Sequence, residues 1–342
     1  MNSTTPFSDI STIELSKRFD LKSQPNIQTL IEPSRKLSLS RQSTIDALYS
    51  TYHSFIVSPE SPISLFSLLH SHLPTIDPDT WKIRAEIGGL HLNGKCIEED
   101  IEIDQRHRIE YYEPKYSINE SESFFPLITE ENIIYQDEHL AILFKPAGIP
   151  TITSREQNKF SLKESCKILF HENIHFPSRL DASTSGLVVC SLQKDFHNKL
   201  QKLYETREIH KYYLLSTQDS PQWSFATINI PIGKGDVHPV LRTPFGEDSK
   251  DATTHLCVIH TDKKRTLICA KPVTGRTHQI RIHTACSVGS IDGDRFYGGR
   301  KEEELHLLSY QVTFKHPATE NIVSCKLPKR WLPSWLFDQK AS

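Results

Sequence analysis

The sequence predicts an α+β fold built on a mostly antiparallel sheet, and three observations lead there. Strand-like runs are many and short, with few helical patterns between them, which argues against the alternating order of a doubly wound fold. Two hairpin signals, Asn93-Gly94 and the Asp137-Glu138 step between apolar runs, join neighbours that must lie antiparallel. The helical segments that do occur carry apolar residues on one face, so they are expected to flank the sheet.

In chain order, residues 1–55 are dense in Ser, Thr, Asn and Gln without a sustained apolar period, and are expected to form a flexible or poorly packed N-terminal arm, with at most a short helical turn. Residues 60–113 read as a small folded unit. There Leu65, Phe66, Leu68, Leu69 and Leu73 suit an amphipathic helix, Asn93-Gly94 a turn with positive φ, and Ile101, Ile103 and Ile109 further strand positions. Residues 114–130 are polar and Pro-containing, a linker. A second unit, 131–340, opens with the hairpin of Ile133-Ile134-Tyr135 and Leu140–Phe144 and the turn-rich 145–150. Ser161-Leu162-Lys163-Glu164 is a capping box that starts a helix. Leu187–Cys190 reads as a buried strand and 194–205 as a helix. Strands are expected at 208–216, 253–260, 265–270, 310–315 and 321–327, and a helix from about Thr277 that ends before Gly289.

The bulk properties exclude several classes. No apolar run approaches the ~20 residues needed to span a bilayer. The opening residues include Asp9, Glu14 and Asp20 and lack an apolar stretch, which is unlike a secretory signal. A cytoplasmic location is expected, with an organellar one left open by the Ser and Thr content. Seven cysteines are scattered without a Cys-x-x-Cys pair, so reduced thiols are expected, with no disulfide framework and no metal. The net charge of −2 hides an uneven distribution. Lys263, Lys264, Arg265, Lys271, Arg276 and Arg281 crowd one segment against the single acid Asp262, while 98–104 holds Glu98, Glu99, Asp100, Glu102 and Asp104 with no Lys or Arg. On charge alone, a phosphate-facing patch and a solvated face are equally good readings.

Three segments carry chemistry. Ser178-Arg179-Leu180-Asp181 lies in a loop before a buried strand and is followed by small hydroxyl residues and Gly186. A lone Asp there more often fixes a turn than reacts. In Arg207–Leu215, Lys211 and Tyr213 lie on the same side of a strand, where a Tyr is more often core than catalyst. In Thr274–His283, Arg276 and Arg281 sit where a helix begins, a place that favours anions.

Together these segments resemble the RluA-type pseudouridine synthase family. Its pattern has a His-Arg-Leu-Asp-x-x-Thr-Ser-Gly-Leu loop, an Arg-x-x-x-Lys-x-Tyr strand and a Gly-Arg-x-His-Gln-x-Arg-x-His helix start. All three occur here in order, and Lys145-Pro146-Ala147-Gly148, Gly293-Asp294 and Phe314-Lys315-His316-Pro317 agree, so the resemblance spans roughly 131–327. It implies a pseudouridine synthase-like mixed sheet with flanking helices, an RNA partner (ribosomal or transfer) and no cofactor. Residues 60–113 resemble a divergent copy of the alpha-L RNA-binding module that often precedes this domain. A monomer is expected.

The resemblance implies Asp181 as nucleophile, Arg281 paired with it, and Tyr213 stacked on the displaced uracil. Arg179, Thr184, Lys211, Arg276 and His278 would hold the flipped-out nucleotide. The chain departs from the pattern at Ser178 (where the family has His), Phe144 (Asn), Leu308 (His), and a 289–294 segment one residue short. The main alternative is an RNA-binding or RNA-folding protein on the same fold, and its signature would be a lost nucleophile. A metal hydrolase using Asp292, Asp294, His278, His283 and His255-x-Cys257 lacks recognised ligand spacing.

Overall fold

The computed structural model describes residues 14–20, 24, 27–37, 39–86, 88–114, 128–152, 161–170 and 174–337. Most of the expected linker (115–127) lies outside the described residues, as do 1–13, 21–23, 25, 26 and 38 of the expected arm and the end of the second unit from 338.

Among the described residues, ten strands form the principal sheet. They are β1 (Ile27–Leu30), β2 (Ile133–Gln136), β3 (Leu140–Lys145), β4 (Ser185–Ser191), β5 (His210–Thr217), β6 (Phe225–Ile228), β7 (Thr254–Thr261), β8 (Thr266–Pro272), β9 (Leu307–Lys315) and β10 (Ile322–Lys326). Their spatial order is β1-β6-β7-β8-β5-β9-β4-β3-β2, with β10 also on β9. Among the described strands, β1 with β6 and β4 with β9 run parallel and the other neighbours antiparallel. The fold is therefore α+β with a mostly antiparallel sheet.

The central strands are buried on both faces, which is why they read as continuous apolar runs. Along β5, Tyr213 and Leu215 belong to one core and Tyr212 and Leu214 to the other. Helices α1 (Leu162–Phe170) and α3 (Gln279–Ser287) cover the first face with Leu162, Cys166, Ile282 and Cys286. Helix α2 (Lys194–Glu205) covers the second with Phe196, Leu200 and Leu203. α3 starts two residues later than the expected Thr277, because His278 takes a left-handed backbone (φ 56) that a helix cannot include.

Parts of residues 1–55 that are described pack against the principal sheet. Leu15 and Phe19, four apart on one turn, are both buried, and the Phe19 ring lies 5.6 Å from Tyr212 and 5.8 Å from Phe225. Downstream, β1 extends the sheet at its edge. Ser34 Oγ and the Arg35 backbone N–H then donate to the Cys286 carbonyl, at 2.8 and 3.0 Å, and the Arg35 guanidinium donates to the Val288 carbonyl. These bonds satisfy carbonyls at the C-terminal end of α3 that have no partner within the helix.

The strand Tyr49–Val57, upstream of residue 60, pairs with His107–Pro114 in the small N-terminal unit. Its sheet orders Tyr49–Val57, His107–Pro114, Leu90–Leu92 and Lys95–Cys96, against helices Leu65–His72 and Pro78–Glu86. Asn93 (φ 51) and Gly94 (φ 80) make the expected hairpin turn. The unit meets the larger one where His238 Nε2 donates to the Gly88 carbonyl at 3.2 Å. His238 belongs to a three-stranded excursion of the larger unit (Ile232–Lys234, Arg242–Pro244, Glu247–Lys250) that the sequence did not reveal.

Candidate active site

Asp181, Tyr213, Arg281, Arg179, Thr184, Lys211, Arg276 and His278 all line one open cleft of about 980 Å³. The three segments that carry chemistry thus converge, although they lie on the β4 approach, β5 and the start of α3.

The Asp181 loop is fixed through its backbone. The buried Lys145 ammonium donates to the carbonyls of Pro146, Ile149 and Ala182 at 2.9, 2.8 and 3.2 Å. Thr151 exchanges two 3.0 Å bonds with the backbone of Leu180, and Gly148 N–H donates to Ala182. The Thr184 N–H closes a turn on the Asp181 carbonyl at 3.0 Å. The backbone of Asp181 is therefore a turn-former, while its carboxylate stays partly exposed to the cleft (29%). Just after the loop, Gly186 (φ 117) enters β4 against the backbone of Ser309, where any Cβ would overlap.

The sequence marked Lys145 only as part of a matching Lys-Pro-Ala-Gly turn and gave it no role, because its partners are backbone carbonyls. Burial pushes its pKa down to about 7, against the opposing pull of Asp181. The folded value lies below the ordinary 10.5, so between about pH 7 and 10.5 the unfolded chain binds the proton more tightly. The contribution of Lys145 to stability is thus expected to rise with pH across that window. Denaturant titrations of wild type and Lys145→Met from pH 6 to 10 check this, since the variant should lose that slope. A parallel slope in both proteins would refute it.

Arg281 differs in part from its expected pairing. Its Nε and Nη2 fork onto the two oxygens of Asp294 at 2.8 and 2.6 Å, and Nη1 lies 3.5 Å from Asp181 Oδ2. The guanidinium is buried over the rings of Phe296 and Tyr297, at 4.8 and 5.2 Å. Burial alone would raise the Asp294 pKa, but Arg281 and the N–H groups of Phe296 and Tyr297 hold it below the usual carboxylate range. The sequence placed Asp294 in the matching Gly293-Asp294 pair but gave it no role at the site. The signal that could have found it is the need of a buried arginine for a carboxylate.

Tyr213 projects into the cleft from β5 opposite a bulge. Tyr212 faces Gln311 and Tyr213 faces Ser309, so Tyr310 is the extra residue in β9. Burial raises the Tyr213 hydroxyl well above its ordinary pKa, so it stays protonated at neutral pH. Lys211 Nζ donates to Ser178 Oγ at 3.2 Å and lies over the Tyr204 ring, and burial lowers its pKa to about 8. Ser178, which stands in place of the family His, thus receives a cation that also lines the cleft.

Arg179 and Arg276 are exposed at the rim, Arg276 bonded through Nε to the Asp251 carbonyl. The basic segment 263–283 does not form one phosphate-facing patch. Arg281 and Arg265 are buried, and Lys271 is half-buried against the Tyr212 ring. His283, considered above as a metal ligand, has both ring nitrogens engaged, with Thr254 Oγ1 and the Ile230 carbonyl. Gln279, also missed, ties the start of α3 to the Thr253 carbonyl and Thr254 hydroxyl. Phe144 stacks on Trp331 at 4.3 Å, an apolar use for a position where the family has Asn.

Residues 139–286 match the family model for RNA pseudouridylate synthase. The chain is 30% identical over 204 residues to the dual-specificity RNA pseudouridine synthase RluA of Salmonella typhimurium, covering 57% of this chain and 92% of that protein. It is 31% identical over 213 residues to ribosomal large subunit pseudouridine synthase C of Vibrio vulnificus, covering 58% of this chain. It spans 66% of that relative's length. Among solved structures, human RNA pseudouridylate synthase domain containing 1 aligns at 25% identity with a TM-score of 0.50, over 59% of this chain and 85% of that one. The human domain containing 4 protein shares the fold at the same TM-score. The order of the motifs, their convergence in one cleft and the coverage of RluA agree: the chain belongs to the RNA pseudouridine synthase family.

Proposed function

We propose that this protein converts specific uridines of structured RNA, ribosomal or transfer, to pseudouridine, with Asp181 as the nucleophile. The observation that carries this reading is a partly exposed carboxylate on a rigid loop, with a buried arginine 3.5 Å away, in a cleft wide enough for a nucleotide. A carboxylate is ionised at neutral pH and can form and release a covalent adduct. The glycosidic bond to N1 breaks, the uracil turns within the cleft, and C5 joins C1′ of the ribose. The C5 proton is lost and N1 gains one, so atoms and electrons balance without a redox partner or an energy source.

The target base leaves its stack to reach Asp181, which costs a few kcal/mol unless it lies in a loop. Tyr213 offers a face for the detached uracil, worth roughly 1–3 kcal/mol per base. Its phenol keeps its proton, so it assists removal of the C5 proton as a hydrogen-bonding group and not as a phenolate. Arg281, oriented by Asp294, aims the nucleophile. Arg179, Lys211 and Arg276 meet the flanking phosphates, and Thr184 and His278 complete the wall of the cleft. The protein is read as a cytoplasmic monomer that needs no metal.

Pseudouridine maps of total RNA from cells with and without the gene test this reading. Loss of one or a few sites in ribosomal or transfer RNA is expected. Identical maps, or activity that vanishes with a chelator, would overturn it.

A further inference from the structure

We propose that His278 acts as a neutral hydrogen-bond donor to an oxygen of the reacting nucleotide, its proton held on Nε2 by Tyr297. The inference rests on the pseudouridine synthase reading of the cleft. His278 has a left-handed backbone (φ 56) although it is not glycine, and it is buried. An L residue enters that region at a cost of roughly 1–2 kcal/mol. Such strain collects where a side chain must be held in a functional direction.

That direction is fixed by one hydrogen-bond chain. The Arg242 backbone N–H donates to the Tyr297 oxygen at 3.1 Å, and the same oxygen lies 2.8 Å from His278 Nδ1. Tyr297 is buried, and its hydroxyl proton needs an acceptor. The Arg242 N–H cannot accept, so Nδ1 does. The ring proton then sits on Nε2, which faces Asp181 Oδ2 at 3.9 Å. That distance is too long for a direct hydrogen bond, and it leaves a place for a substrate oxygen beside the nucleophile.

The groups that face the ring keep it neutral. Arg281 from α3 and Arg242 from the three-stranded excursion oppose a further cation, while Asp181 and Asp294 favour one. Burial outweighs the two acids and holds the imidazole down to about 4. A neutral donor next to Asp181 leaves the carboxylate free to attack, whereas an imidazolium would pair with it. The accepting oxygen is a ribose hydroxyl or a uracil carbonyl, and a donor aimed at it gains strength as charge develops there.

Asn and Gly tolerate the left-handed backbone better than His, which offsets part of the cost of leaving the buried Tyr297 hydroxyl without its acceptor, so His278→Asn should stay folded at the assay temperature. Turnover should nonetheless fall by about tenfold to a hundredfold. His278→Gln, which restores a longer N–H donor, should recover part of the rate. In ¹⁵N spectra of histidine-labelled protein, the His278 ring should show a proton on Nε2 and none on Nδ1 at neutral pH, and Tyr297→Phe should disturb that pattern.

A target carrying 2′-deoxyuridine separates the two oxygen sources. If the ribose hydroxyl is the acceptor, His278→Asn adds no further loss on that RNA. If the base is the acceptor, the two losses multiply. A proton on Nδ1 in the wild type, or wild-type turnover by His278→Asn while Asp181→Asn is inactive, would overturn the inference alone. An active Asp181→Asn would overturn the reading on which it rests.

Discussion

Replacing Asp294 with Asn is expected to cost about 3–5 kcal/mol of stability and to silence turnover, although Asp294 is not the proposed nucleophile. The side chain is fully buried and accepts both arms of the Arg281 fork together with two backbone N–H groups. Asn matches its shape, but it removes the charge that compensates a guanidinium which is itself only 4% exposed. Breaking one side of a buried pair leaves the other charge desolvated and alone, and that penalty exceeds the net worth of the pair. The nearest remaining carboxylate is Asp181, 3.5 Å from Nη1. The freed arginine should close on it and block the nucleophile. Asp294→Asn with Arg281→Met should recover much of the stability, because an apolar substitute removes the stranded charge, but it should not recover activity. Urea unfolding and single-turnover assays of the two variants check this. A single variant within about 1 kcal/mol of wild type that still turns over would refute the role given to the pair.

How much of this was legible in the sequence depends on how local each cause is. The Asn93-Gly94 turn was readable because two adjacent residues supply the required positive φ. The central strands were readable because burial on both faces leaves an unbroken apolar run. β1 was not: at the sheet edge it is mostly exposed, Ile27 included, and carries no strand pattern. A short helical turn was the most that residues 1–50 suggested, and the burial of Leu15 and Phe19 depends on Tyr212 and Phe225, some two hundred residues away. The same holds in the site. Asp181, Tyr213 and Arg281 were found through motifs in order, but the Arg281–Asp294 fork, the three carbonyls around Lys145 and the Tyr297–His278 bond exist only once the chain is folded. Lys271 and Arg265, for which phosphate contact and a solvated face read equally well, pack against Tyr212 and the Trp335 carbonyl instead. A run of charge does not tell where each side chain turns.

The largest effect belongs to Asp181 itself. Asp181→Asn keeps the size of the side chain and leaves the backbone bonds from Lys145, Thr151 and Thr184 to this loop in place, so fold and cleft should persist. What it lacks is the anionic oxygen that the proposed reaction uses to form and release the adduct, and loss of a nucleophile typically costs roughly 10⁴-fold or more. Binding should survive, since the rim cations Arg179 and Arg276 and the stacking face of Tyr213 are untouched.

The most direct measurement is pseudouridine formed per protein molecule in RNA incubated with purified wild type or Asp181→Asn, with RNA affinity measured on the same samples. The account predicts conversion of the target uridine by wild type, none by the variant, and equal binding by both. Conversion by Asp181→Asn at the wild-type rate, or binding by wild type without any conversion, would contradict it.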